Sequence, residues 1–171
     1  RKGTDFHDFI NRLFELMYPR GDYISIKQKR DRGNDGIIKS ANAVLAVYGP
    51  EDKALNTFKK KAQEDFKKYT EHQQKSYPNW WVVYNDTFTN DRIEHIRGLK
   101  NDARLIDINI LLNYIGGLPY GDIINLSEFL GIRQNIVLDC LDEIIKQITN
   151  GPQTDTREEY NATELEKKIV L

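Results

Sequence analysis

The sequence predicts a mixed α/β fold in which a helix, a three-stranded meander, a second helix, a strand and a third helix are followed by a helical C-terminal extension. Three observations carry this expectation. Apolar residues recur at helical spacing in three separate stretches. Runs rich in β-branched and aromatic residues lie after the first stretch and again after the second. Beyond Gly116-Gly-Leu-Pro119 the pattern is helical throughout. The divisions that follow are a core over residues 1–115, an extension over 116–150 and a tail or linker over 151–171.

Phe6, Ile10, Leu13, Phe14 and Met17 form one helical stripe, and Tyr18-Pro-Arg-Gly21 supplies the breakers that end it. Extended runs begin at Tyr23, at Gly36 and at Ala43, with turns at Gly33-Asn34 and Ser40-Ala-Asn42, so these three strands read as an antiparallel meander. After Gly49-Pro50, Leu55, Phe58, Ala62, Phe66 and Tyr69 define a long amphipathic helix whose opposite stripe carries Lys53, Lys60 and Lys67. Trp80-Trp-Val-Val-Tyr84 suits a buried strand, with adjacent tryptophans on opposite faces, so that one packs in the core while the other is open to stacking on a base. Asn90 to Lys100 reads as a helix with Ile93, Ile96 and Leu99 inward. Arg104 to Leu111 is ambiguous, because Ile106, Ile108 and Ile110 alternate like a strand while Leu105, Leu112 and Ile115 serve a helix. Asn125-Leu-Ser-Glu128 matches a capping box that would start a short helix running to Gly131, and a further helix carries Ile136 to Ile148.

A chain of 171 residues, 39% of them hydrophobic, can bury one core without disulfides, and its single cysteine, Cys140, excludes a disulfide framework or a cysteine-rich zinc site. No apolar run approaches bilayer length and no leader opens the sequence, so a cytoplasmic protein without membrane insertion is expected, although Arg1 suggests an excised fragment. The formal net charge of −1 argues against non-specific coating of nucleic acid. It hides local segregation. Lys27, Lys29, Arg30 and Arg32 crowd one site and Lys59, Lys60, Lys61, Lys67 and Lys68 another, while the C-terminal part is acidic.

Asp31-Arg-Gly-Asn-Asp35-Gly36 is the segment with the most chemistry. Read locally, it is a hairpin turn, since Asn, Asp and Gly tolerate left-handed backbone. Read with its basic neighbours, it is a divalent-metal and phosphate site. The element order is that of the restriction-endonuclease-like, PD-(D/E)XK nuclease core. Together with Val47-Tyr-Gly-Pro-Glu51, the turn resembles the GD-x-x-N/C-D-G … Q-x-Y-A-P-E signature of such proteins in bacterial ABC-three-component anti-phage defence systems. The likeness extends through Lys61 and Asp65 to Trp81-Val-Val-Tyr-Asn85, and Gly3-Thr-Asp-Phe6 is similar to the start of helix one in Mrr-type restriction enzymes.

The resemblance implies Mg²⁺-dependent DNA cleavage at Asp35 and Asp31, with the Val47 carbonyl as a further metal ligand and Lys61 as the cation. Lys27, Lys29, Arg30, Arg32 and Lys60 would bind DNA. Where the family pattern has Glu on helix one, this chain has His7; where it has Gln or Glu and then Lys on the third strand, the chain has Ala46 and Tyr48. A phenol with a reference pKa of about 10 brings no positive charge to a phosphorane. A pseudo-nuclease is the consequence if Lys61 does not substitute. The alternative is a non-catalytic assembly module that docks an ABC-type ATPase subunit, and self-association stays open.

Leu126 to Ile132 followed by Gln134 to Ile145 has the spacing of a helix-turn-helix. Asp139, Asp142 and Glu143 would there face phosphates, which favours a helical cap or partner-docking unit instead. His7, His72 and His95 sit on different elements with no zinc-ligand spacing. His7 alone is placed to approach Asp35, and its plain reading is a partly exposed helix residue. No phosphate loop, nucleophile elbow or kinase signature is present.

Overall fold

A five-stranded mixed sheet in sequential order, β1-β2-β3-β4-β5, forms the middle layer of the described fold up to Leu130. The structure, a computed structural model, describes residues 3–26, 34–49 and 54–132. All but the last two of these belong to the first of two units of the chain, Arg1–Leu130. Helix α1 (Gly3–Met17) precedes β1 (Tyr23–Ser25), β2 (Gly36–Ile38) and β3 (Ala43–Tyr48), which pair antiparallel as the sequence predicts. Asn42, at φ 47°, takes the left-handed turn position between β2 and β3 that its side chain tolerates. Helix α2 (Leu55–His72), β4 (Asn79–Tyr84), α3 (Asn90–Leu99) and β5 (Arg104–Ile106) then add two parallel crossovers.

The pleat sorts the central strands between two cores. Ala43, Leu45, Val47, Trp81 and Val83 pack on one side with Ile10, Leu13 and Phe14 of α1. Val44, Ala46, Tyr48, Trp80, Val82 and Tyr84 pack on the other with Phe58, Ala62 and Tyr69 of α2 and Ile96 of α3. Both crossover helices thus cover the same face, as βαβ units of common hand require when the strand order runs one way. The result is an α/β fold with helices on both faces. Both tryptophans are buried, so neither is available to stack on a base; Trp81 instead carries the Arg104 guanidinium 4.3 Å above its ring.

The ambiguous stretch from Arg104 divides at one residue. Strand alternation lasts only to Ile106. Asp107 then caps α4 (Ile108–Gly116), its Oδ1 accepting from Asn109 and Ile110 N–H at 3.0 Å each. The capping box expected at Asn125 does not form. Helix α5 runs from Tyr120 to Phe129 with Pro119 before it and Asp122 in its first turn, so Asn125 lies mid-helix. Proline costs nothing at a helix start, where its missing N–H would have no intrahelical partner, and this earlier start prevails. Leu111, Leu118 and Leu126 of this segment join the α1 core. The sequence predicted further helix over 136–148, a helix-turn-helix extending into it and a tail from 151; these lie outside the described residues.

Candidate functional site

Asp35 stands at the start of β2, where its N–H donates to Leu45 O at 2.8 Å and its carbonyl accepts from Ile26 N–H at 3.0 Å. Strand alternation puts its side chain on the face of Ile37, the same face as Ala46 and Tyr48. Its Oδ2 accepts from the Val47 N–H at 2.7 Å, which fixes the carboxylate and turns Oδ1 outward. There Oδ1 meets His7 Nδ1 at 3.3 Å, and the two side chains are 14% and 18% exposed.

Gly49 brings His7 to this position. A Cβ on Gly49 would lie 2.7 Å from Phe6 Cδ1 and 2.8 Å from Phe6 Cβ, so the first turns of α1 sit directly on bare backbone at the end of β3. A side chain at 49 would lift α1 away and carry His7 off Asp35. Sequence reasoning singled out the Gly3-x-x-Phe6 segment but not this contact, which depends on two elements distant in sequence.

His7, the Val47–Gly49 strand end, and Phe58 and Lys61 of α2 line a cavity of about 220 Å³. Lys61 reaches it from α2 with its side chain half exposed, and its Nζ donates to Asp65 Oδ1 at 2.8 Å. Asp65 is buried. Its pKa is raised by that burial, against the lowering effect of Lys61. The Tyr48 hydroxyl is also buried and makes no hydrogen bond of ordinary geometry. Burial pushes its pKa well up, and the Asp65 and Asp35 carboxylates add to the shift through their charge. Tyr48 therefore stays neutral. In sequence Asp65 stood out only through the resemblance that runs on past Lys61; its place on the buried stripe with Phe58, Ala62 and Tyr69 gives it a structural part beside the site.

The residues predicted for the site thus separate. Asp35, Val47 and Lys61 come to one place. Lys60, about 100° round the helix from Lys61, is exposed on another surface and borders a shallow groove with Phe66, Lys67 and Leu99. Asp31, Lys27, Lys29, Arg30 and Arg32 lie outside the described residues.

A Mg²⁺ ion asks for a near-octahedral shell dominated by oxygen. The described donors do not fit that demand. Asp35 offers one free carboxylate oxygen, its nearest neighbour is an imidazole nitrogen, and Asp65 is turned to Lys61. Among the described residues no three His, Cys, Asp or Glu side chains converge.

No protein-family model, curated protein or solved structure matches this chain. Among the described residues no helix is long and apolar enough to cross a membrane.

Proposed function

We propose that this is a DNA-binding domain of restriction-nuclease type from a bacterial defence system, in which Mg²⁺-dependent phosphodiester cleavage is weak or lost. The observation that carries the reading is a cavity at the end of β3 lined by Lys61, from the helix after the meander, and by His7 and Val47, the two residues that hold the Asp35 carboxylate. That is where the resemblance expects a scissile phosphate. Lys61 offers a cation able to meet a phosphate oxygen, and the basic residues Lys27, Lys29, Arg30 and Arg32 add charge that holds a DNA backbone without reading its sequence. The donor set around Asp35 favours binding over Mg²⁺ hydrolysis.

The test is DNA affinity measured across a salt series, with plasmid cleavage in Mg²⁺ followed for the native chain and Asp35→Ala. Binding that weakens steeply with salt and falls on Lys29→Glu, without cleavage, supports the reading. Cleavage abolished by Asp35→Ala would show an active enzyme instead.

A second reading, an assembly module that docks an ATPase subunit, draws support from the exposed apolar side chains of Leu112, Tyr120 and Phe129. It requires DNA binding to be absent and association with protein to be insensitive to salt.

A further inference from the structure

The cavity at the end of β3 is lined by a hydrogen-bond donor that DNA-backbone binding leaves unused. We infer that it is a pocket for a phosphomonoester, the terminal phosphate of a DNA end or of a free nucleotide, with the Tyr48 hydroxyl, the Lys61 ammonium and the first turn of α2 as its binding groups. This deepens the DNA-binding reading by naming the substrate class of the same site, and the DNA arm of the test rests on that reading.

Two independent observations carry it. The first is Tyr48, which lines the cavity, is 3% exposed, and has its hydroxyl buried with no hydrogen-bond partner of ordinary geometry. A buried hydroxyl left unpaired is costly, and an acceptor from outside the chain relieves it. Burial keeps the phenol protonated, so it can donate. The second is the start of α2. The cavity lies at the carboxyl end of β3, which runs parallel to β4, and ligands of open α/β sheets bind at such ends. Thr57, near the start of the 18-residue α2, lines it, and no acidic residue occupies the first turn of that helix. The positive end of the helix dipole therefore stands beside the cavity, an arrangement suited to phosphate.

Lys61 adds a full charge. An ammonium has three donors, and the 2.8 Å bond to buried Asp65 takes one while holding the group on the cavity wall. The nearby carboxylates are each answered within the fold, Asp65 by Lys61 and by Lys68 at 3.9 Å, and Asp35 by the Val47 N–H and His7. Shape selects the ester. Val47, Tyr48, Gly49 and Phe58 are buried and form the floor, while Thr57 and Lys61 are exposed at the rim. The 220 Å³ volume is the liquid share of about seven waters, room for a phosphate group with a few waters. A chain end enters such a recess, whereas an internal phosphodiester, with chain on both sides, meets only the rim. A monoester also brings about −1.5 to −2 charges and three acceptor oxygens, more of each than a diester offers.

The full chain is titrated at fixed salt with one short duplex in three forms, bearing a 5′-phosphate, a 3′-phosphate or only hydroxyl ends, and separately with a nucleoside 5′-monophosphate. Calorimetry reads each affinity. A phosphorylated end should bind about tenfold or more tightly than the hydroxyl form, the scale of one hydrogen bond to a charged group. That advantage should disappear in Tyr48→Phe and in Lys61→Gln. Tyr48→Phe keeps the ring, and removal of an unpaired buried hydroxyl should leave the melting temperature equal or higher, so lost preference is not lost folding. Equal affinity for the three duplexes, with binding that still weakens in salt, overturns the pocket and leaves the DNA-binding reading standing. No binding to any duplex, with nucleotide binding that depends on Tyr48 and Lys61, keeps the pocket for a free phosphomonoester and sinks the DNA reading. Absence of binding to every ligand, a preference that survives Tyr48→Phe, or a lower melting temperature in that variant would each overturn the proposal.

Discussion

Asp65 carries the clearest pH signature at the scale of single residues. Burial raises its pKa above the usual 3.8, so the folded chain holds this proton to a higher pH than the unfolded chain does. In the window just above that value the folded state therefore binds more protons, and this group's contribution to stability falls as pH rises. Melting temperatures of the native chain and Asp65→Asn, compared between pH 3.5 and 7, should show the native chain losing ground to the variant with increasing pH; a gain would refute the assignment. Gly49 is constrained differently. Gly49→Ala forces a methyl against Phe6, an overpacking expected to cost about 1–3 kcal/mol and to separate His7 from Asp35. A thermal melt reads the first effect and the NMR environment of His7 the second, and an unchanged melt would mean that α1 yields without cost. The sequence named His7, Asp35 and Lys61 individually because each matches or departs from a motif position. It did not show that Asp65 holds Lys61 from a buried stripe, since one i, i+4 pair looks like any other on a lysine-rich helix.

Among the elements, helices α2 and α4 illustrate how ends are fixed. At the exit of α2 the Tyr69 hydroxyl lies 3.0 and 2.8 Å from the Tyr77 and Pro78 carbonyls, tying the helix to the turn that delivers β4. Burial raises this phenol to about 12. The unfolded chain loses the proton near pH 10, the folded one later, so stability drains away as pH rises between these values. Tyr69→Phe should remove that alkaline loss, measured as denaturant midpoints between pH 8.5 and 11, and should lower the midpoint at pH 8.5 because the two carbonyls lose their donor. At the start of α4, Asp107→Ala removes the acceptor for two backbone N–H groups and should destabilise the protein by about 1 kcal/mol; an unaltered unfolding curve would place the cap's worth near zero. Periodicity identified nearly every element here. It left Arg104 to Leu111 open, because Ile106, Ile108 and Ile110 alternate like a strand while Leu105, Leu112 and Ile115 suit a helix; both form in turn, and the carboxylate of Asp107 marks where strand gives way to helix. At α5 the capping-box pattern was overridden by a helix already under way from Pro119.

On the scale of the whole molecule, the sheet divides two cores, and Trp80 and Trp81 serve one each. Trp80 has no exposed surface, lies 4.9 Å from Phe66 between ring centroids and stacks at 6.0 Å on Tyr69. Trp80→Ala should cost about 3–5 kcal/mol, enough to unfold a large share of a marginally stable domain, as urea denaturation would report. The α/β class and the antiparallel meander were written in the sequence, because hydrophobic period, breakers and turn residues act over a few neighbours. The approach of His7 to Asp35 was expected from the sequence and is found, while the cores' division, the burial of both tryptophans and the seat of α1 on Gly49 were decided only by tertiary structure. Each depends on residues tens of positions apart being set in register by strand pairing, and on one glycine letting a helix touch the backbone of β3. Local spacing carries no information about such a contact.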